Sequence, residues 1–152
     1  MKPTPHTTLH ITVANVVEHE QKFLFVEEIS RGNRVISQPA GHLEHGESLL
    51  EAVIRETLEE TACIVEPTHC LGVYQFTINN HQDTFIRFCF ISRFIKTLDQ
   101  PLTPPILQSL WLSYDELLTH QTPLRHEVVL QCLNDYQQGI RYPLALIHSM
   151  SV

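Results

Sequence analysis

Six carboxylates fall within the seventeen residues from Glu44 to Glu60, and the stretch closes with Arg55-Glu56-Thr57-Leu58-Glu59-Glu60. Leu50, Val53, Ile54 and Leu58 recur at i, i+3, i+4 and i+8, which is one face of an amphipathic helix running from about Glu47 to Thr61. Glu56, Glu59 and Glu60 then stand at i, i+3 and i+4 on another face, where side chains are near neighbours. Like charges at that spacing repel, and these occupy the last turns of the helix, the negative end of its dipole. Each contribution is only about 0.3–1 kcal/mol at an exposed site, but all share one sign. A cation on the ridge reverses them. Oxygen ligands with no Cys and no obligatory His suit a hard ion, Mg²⁺ or Mn²⁺. Mg²⁺ holds few protein ligands and shares its remaining positions with substrate phosphates, so the chemistry implied is metal-assisted attack of water on a phosphoanhydride.

The residues ahead of the helix, Gln38 to Glu47, form a turn-rich lead-in with Pro39, Gly41 and Gly46 as breakers. Simpler readings compete for several of these side chains. A merely solvated acidic face would carry interleaved Lys, whereas Arg55 is the one cation between Glu47 and Thr61. Arg55 has Glu51 and Glu59 at i−4 and i+4, so a structural ion pair competes with substrate contact for it. His42 and His45 have half of a zinc spacing, yet among ten scattered histidines they read as loop residues, with His42 within reach of a phosphate. Tyr74 and Phe76 share one strand face, as do Phe85 and Arg87. Core packing competes there with base stacking by the aromatics and phosphate binding by Arg87.

Gly41, then five residues to Glu47, seven more to Arg55-Glu56, and Glu59-Glu60 is similar to the signature box of the Nudix hydrolases. The box spans 23 of the 152 residues. This chain has Thr57 where the box has an apolar residue, Ala62 where it has glycine and Cys63 in the last apolar slot. The glycine lets the chain leave the helix with φ > 0, so Ala62 either takes that conformation under strain or leaves by a rebuilt exit with φ < 0. The resemblance implies an α/β fold, a Nudix-like α/β/α sandwich with a mixed β-sheet. It implies that Glu56, Glu59 and Glu60 are the catalytic residues and hold Mg²⁺ or Mn²⁺, with Glu44 and the Gly41 carbonyl as further ligands. Glu59 is the first candidate for general base, and Arg55 is expected to brace the loop through Glu47. Further short matches, at Phe23 to Glu28, Gln38 to Glu44 and Gly139 to Leu144, resemble a bacterial phosphatase branch of the family. That likeness implies stepwise release of orthophosphate from nucleoside tri- and diphosphates, with hydroxymethylpyrimidine pyrophosphate as a further candidate substrate. An ADP-ribose or dinucleotide pyrophosphatase is the alternative, and a nucleotide-sensing module without turnover a more remote one.

The expected substrate-binding residues are Arg31, Arg34, Arg87, Phe76, Tyr74 and His42. Ten Lys and Arg against seventeen acids give a formal charge of −7, which argues for a small phosphorylated molecule and against a nucleic-acid polymer. No apolar run suggests a signal peptide or a membrane span, so a cytoplasmic protein is expected, as a monomer or homodimer. The four cysteines form no C-x-x-C pair and read as reduced core thiols. No linker or repeat divides the chain, so residues 1–152 are expected to form one domain.

The elements that must position these residues are legible in outline. Strands are expected over His10 to Val17 and Gln21 to Glu28, as a hairpin around His19-Glu20, then over Leu71 to Ile78 and Thr84 to Ile95. Asn79-Asn80-His81 is turn chemistry between the latter pair, and Pro101, Pro104 and Pro105 mark a loop. Leu110-Trp111-Leu112 reads as a short strand, followed by a helix capped by Ser113 and Glu116. A last helix is expected from Leu124 to Gln138, stopping at Gly139.

Overall fold

The computed structural model describes residues 8–78, 80 and 82–151. Its frame is one sheet with the path β3-β2-β1-β6-β5-β8, with β4 paired to β1 and β7 to β2. The strands are β1 (Thr8–His19), β2 (Lys22–Ser30), β3 (Asn33–Ser37), β4 (Ala40–His42), β5 (Cys63–Ile78), β6 (Asp83–Thr97), β7 (Ile106–Leu112) and β8 (Tyr142–Pro143). The helices are α1 (Leu49–Thr61), α2 (Tyr114–Leu118) and α3 (Glu127–Gln137), with a 3₁₀ turn over Leu144–Leu146. The β1–β6 pairing is parallel and the other strand pairings are antiparallel, so the sheet is mixed as expected.

Successive side chains on a strand point to opposite faces, and here both faces are covered. Ala14, Leu71 and Cys89 pack with Val129, Cys132 and Leu133 of α3. Their immediate neighbours Val13, Cys70 and Phe90 pack on the other face with Ala52 and Val53 of α1. This is why β1 reads as a nearly unbroken apolar run rather than an alternating one. The layers are helix, sheet, helix. The four cysteines are buried free thiols. No helix of the described residues is long and apolar enough to cross a membrane.

Several boundaries differ from expectation for local reasons. The β1–β2 hairpin turns at Glu20 and Gln21, both with φ > 0. The lead-in contains a short strand, β4, which pairs Ala40 with Ala14 and His42 with Thr12. Helix α1 starts two residues late because Ser48 caps it: its hydroxyl accepts from Glu51 N–H, and Glu51 accepts from Ser48 N–H. Glu51, expected as an i−4 partner of Arg55, is engaged in that capping box. The exit at Ala62 is left-handed, φ 59° and ψ 17°, the strained one of the two exits the sequence left open. Helix α3 starts at Glu127 and not at Leu124, because Pro123 to Arg125 run beside β3. There Ile36 N–H donates to Pro123 C=O and Arg125 N–H to Ile36 C=O. The β5–β6 turn falls partly outside the described residues, at Asn79 and His81.

Candidate active site

Arg55 organises the loop ahead of α1. Its guanidinium donates to both carboxylate oxygens of Glu47, at 2.9 and 2.6 Å, and to the His42 carbonyl at 3.1 Å. The same side chain reaches Glu56 at 2.8 Å, Glu59 at 3.3 Å and Glu44 at 3.6 Å. This is the expected brace. The Arg55 hydrogen bonds hold the Glu47 carboxyl below the usual range, and the paired carboxylates push Arg55 upward.

Gly41 leaves room for the Glu56 carboxylate. A Cβ built on it would lie 2.1 Å from the Glu56 carboxyl carbon, so the absent side chain is what lets that carboxylate close against the β4 backbone. Glu60, one helical turn on, accepts from Ala40 N–H at 2.8 Å. Burial, with the charges of Glu56 and Glu28 added, pushes Glu60 up to about 8, and burial also raises Glu56. The ridge thus holds carboxylates that a dehydrated site does not tolerate as anions without a cation.

Both glutamates open onto a cavity of about 400 Å³, whose wall includes Gly41, His42, Glu44, Phe76, Phe85 and Arg87. It also includes Thr12, Glu28, Arg125 and His126, which the sequence did not mark as site residues. Glu28 pairs with Arg125 at 2.6 Å. His126 is pushed down to about 4 by burial and by Arg125, Arg87 and Arg31, so at neutral pH it is uncharged. His42 Nε2 lies 2.9 Å from His10 Nδ1, and His10 Nε2 lies 3.1 Å from Asp83, a chain that fixes the His42 ring.

The expected residues do not all meet here. Glu59 is held by Arg55 and is absent from the cavity wall. Tyr74 donates to Asp135 at 2.7 Å and packs under α3. Phe76, two residues along the same face, comes level with the start of α3, 5.8 Å from the His126 ring. Its faces are already in use: Phe85 stacks on it at 5.1 Å and the Arg87 guanidinium lies 5.2 Å from its centroid. Arg34 pairs with Glu27 at 3.3 Å. Arg31 lies in the β2–β3 turn and lines a neighbouring cleft with Arg125 and His126.

Among the described residues, no three His, Cys, Asp or Glu side chains already converge as a closed metal site. The donor chemistry still fits a hard divalent ion: Glu56 and Glu60 are half-buried carboxylates sharing one cavity with Glu44 and the Gly41 backbone.

A family model described as NUDIX domain matches residues 8–132, and the chain belongs to that family, as a Nudix phosphohydrolase of phosphoanhydrides. Members of the family generally use divalent metal ions. The chain is 40% identical over 139 residues to Phosphatase NudJ of Escherichia coli (strain K12), covering 91% of this chain and 90% of that one. A NUDIX hydrolase from Nitrosomonas europaea superposes with a TM-score of 0.89 at 39% identity, over 94% of this chain and 98% of its own. The NUDIX domain of Shewanella oneidensis NrtR, solved with ADP ribose, shares the fold at a TM-score of 0.70 and 20% identity, over 91% and 93% of the two chains.

Proposed function

We propose that this chain is a Mg²⁺- or Mn²⁺-dependent phosphatase of nucleoside tri- and diphosphates that releases orthophosphate. Hydroxymethylpyrimidine pyrophosphate is a further substrate of the same kind. The observation that carries the reading is one cavity holding both the half-buried Glu56 and Glu60 carboxylates and a buried cation, Arg87. Likeness to a protein named as a phosphatase across nine tenths of both chains supports orthophosphate as the product.

Glu56 and Glu60 would hold the ion, with Glu44 and the Gly41 carbonyl beside them. When bound, the ion supplies charge neutralisation at the phosphoryl oxygens and a bound water of lowered pKa. The protein's own part is positioning. Arg55 fixes the ridge and the Gly41 loop as one body through Glu47 and His42. The proton of the attacking water passes to a carboxylate. Glu56 and Glu60 line the cavity, whereas Glu59, the expected base, does not. A single domain, as monomer or homodimer, suffices for this chemistry.

A panel of phosphoanhydrides tests the reading, with orthophosphate measured with and without an added phosphatase. Nucleoside tri- and diphosphates should yield orthophosphate directly with Mg²⁺, and none with EDTA in excess. ADP-ribose turnover without nucleoside triphosphate turnover would replace this substrate assignment with a dinucleotide pyrophosphatase. Undiminished activity in chelator would end the metal-ridge mechanism itself.

A further inference from the structure

We propose that Arg87 and Thr12 form a subsite that grips the terminal phosphoryl group of the substrate, so that the enzyme selects a free phosphate end over an internal anhydride. The inference rests on the phosphohydrolase reading and adds to it which end of the substrate is held, and by what.

The two residues are register partners across the parallel β1–β6 pair, and both line the cavity. Thr12 is 3% exposed and Arg87 6%. Yet Thr12 Oγ1, Arg87 Nε and Arg87 Nη1 are buried without a hydrogen-bond partner. An arginine serving only the core is paired when buried, because an uncompensated buried charge is costly. Arg55, whose side chain is largely covered, follows that rule, meeting the carboxylates of Glu44, Glu47, Glu56 and Glu59. Among the described residues Arg87 meets none. Phe76 backs its guanidinium, and the thiols of Cys89 and Cys132 lie nearby. Arg125 is already paired with Glu28, and Glu60, the acid whose charge reaches Arg87, is bonded to Ala40 N–H.

Three unmade hydrogen bonds and one unpaired positive charge at a cavity wall call for an oxyanion ligand. A terminal phosphoryl group answers best, since it carries more charge than an internal one and three free oxygens, and guanidinium is the side chain suited to it. Water then adds to the terminal phosphorus and the bridging P–O bond breaks. The bridging oxygen leaves with the nucleoside diphosphate, the water's oxygen stays on orthophosphate, and its proton passes to a ridge carboxylate. Orthophosphate is left against Arg87.

The test uses the full chain and inorganic phosphate as probe. In EDTA, phosphate should raise the melting temperature of the wild type saturably, and Arg87→Gln should weaken that binding at least tenfold. Arg87→Lys should retain part of it, and Thr12→Val should weaken it by a smaller factor. With Mg²⁺, the wild type should prefer ATP over ATP esterified at its γ-phosphate by at least tenfold. Arg87→Gln should bring that ratio toward one, whereas a merely structural lesion lowers both rates alike. Phosphate affinity unchanged in folded Arg87→Gln or Arg87→Lys, or an unchanged ratio, overturns the subsite. Because phosphate binding is read without turnover, its failure is distinct from failure of the phosphatase reading.

Discussion

Glu60 is the residue at which folding and function conflict most directly. It is held by Ala40 N–H while burial, Glu56 and Glu28 push its carboxyl up to about 8 from an ordinary value of 4.5. A folded-state pKa raised above the unfolded one means that the folded protein binds the extra proton. That stabilisation is complete below about pH 4.5 and is lost as pH rises through about 8. Metal-free wild type should therefore lose stability between pH 5 and pH 8 relative to Glu60→Gln, which has no proton to lose. The variant should match or exceed the wild type at pH 8 in urea unfolding with EDTA. Its kcat should fall by about two orders of magnitude or more, on the scale seen when a single electrostatic catalytic group is lost. Parallel stability curves for the two proteins across that range would show that Glu60 is not the strained group. Glu59→Gln should cost less activity than Glu60→Gln, since Glu59 does not line the cavity.

At the scale of elements, the catalytic helix was the most legible part of the chain. Its acidic ridge was readable because it depends on residues within two turns, whereas its apolar face was read only in part: Val53 is buried together with Ala52, Thr57 and Thr61, while Ile54 is exposed. Thr57 looked like a defect in the apolar pattern. In the fold it is fully buried, donates to Val53 C=O at 2.7 Å and accepts from the amide of Asn15 on β1 at 3.0 Å. That partner is 42 residues away, beyond any local pattern. The strands β3 and β4 were missed for a similar reason: short strands of five and three residues with few apolar side chains exist only through their neighbours. Helix α3 begins late because β3 captures the backbone ahead of it. The left-handed exit gives a prediction of its own. Ala62 carries a conformational penalty of about 1–2 kcal/mol at φ 59° that glycine does not. Glycine loses about 0.4–1 kcal/mol through the entropy of the unfolded chain, and the small buried methyl offsets more of the gain. Ala62→Gly should therefore stabilise the protein by less than about 1 kcal/mol in denaturant unfolding. A clear destabilisation would mean that packing of this methyl outweighs the backbone strain.

Across the whole molecule, what could not be read was convergence. Arg125, His126, Glu28 and Thr12 come from three strands or loops and a helix start, and only the sheet order brings them to one cavity with Arg87. Arg87 and Phe76 could be named as candidates from alternation, but Tyr74 shares that alternation and packs, partly buried, under α3 instead. The same scale governs which substrates can approach. The formal charge is −7, while the cations at the cavity, Arg87 and Arg125, are either buried or already paired. A compact nucleoside triphosphate brings its own Mg²⁺ and needs neutralisation only inside the cavity. A longer polyanion must also lie along the acidic surface, where its charges are repelled over about a Debye length, roughly 10 Å at 0.1 M salt. A short RNA bearing a 5′-triphosphate should therefore show a kcat/KM well below that of ATP at low ionic strength. The gap should narrow as salt is raised, because added ions screen the repulsion while leaving the buried contacts to the triphosphate nearly untouched. Steady-state rates for both substrates across a salt series, at fixed free Mg²⁺, measure this directly. Equal kcat/KM at low salt would show that the surface charge plays no part in selection, and that cavity shape alone decides what the enzyme accepts.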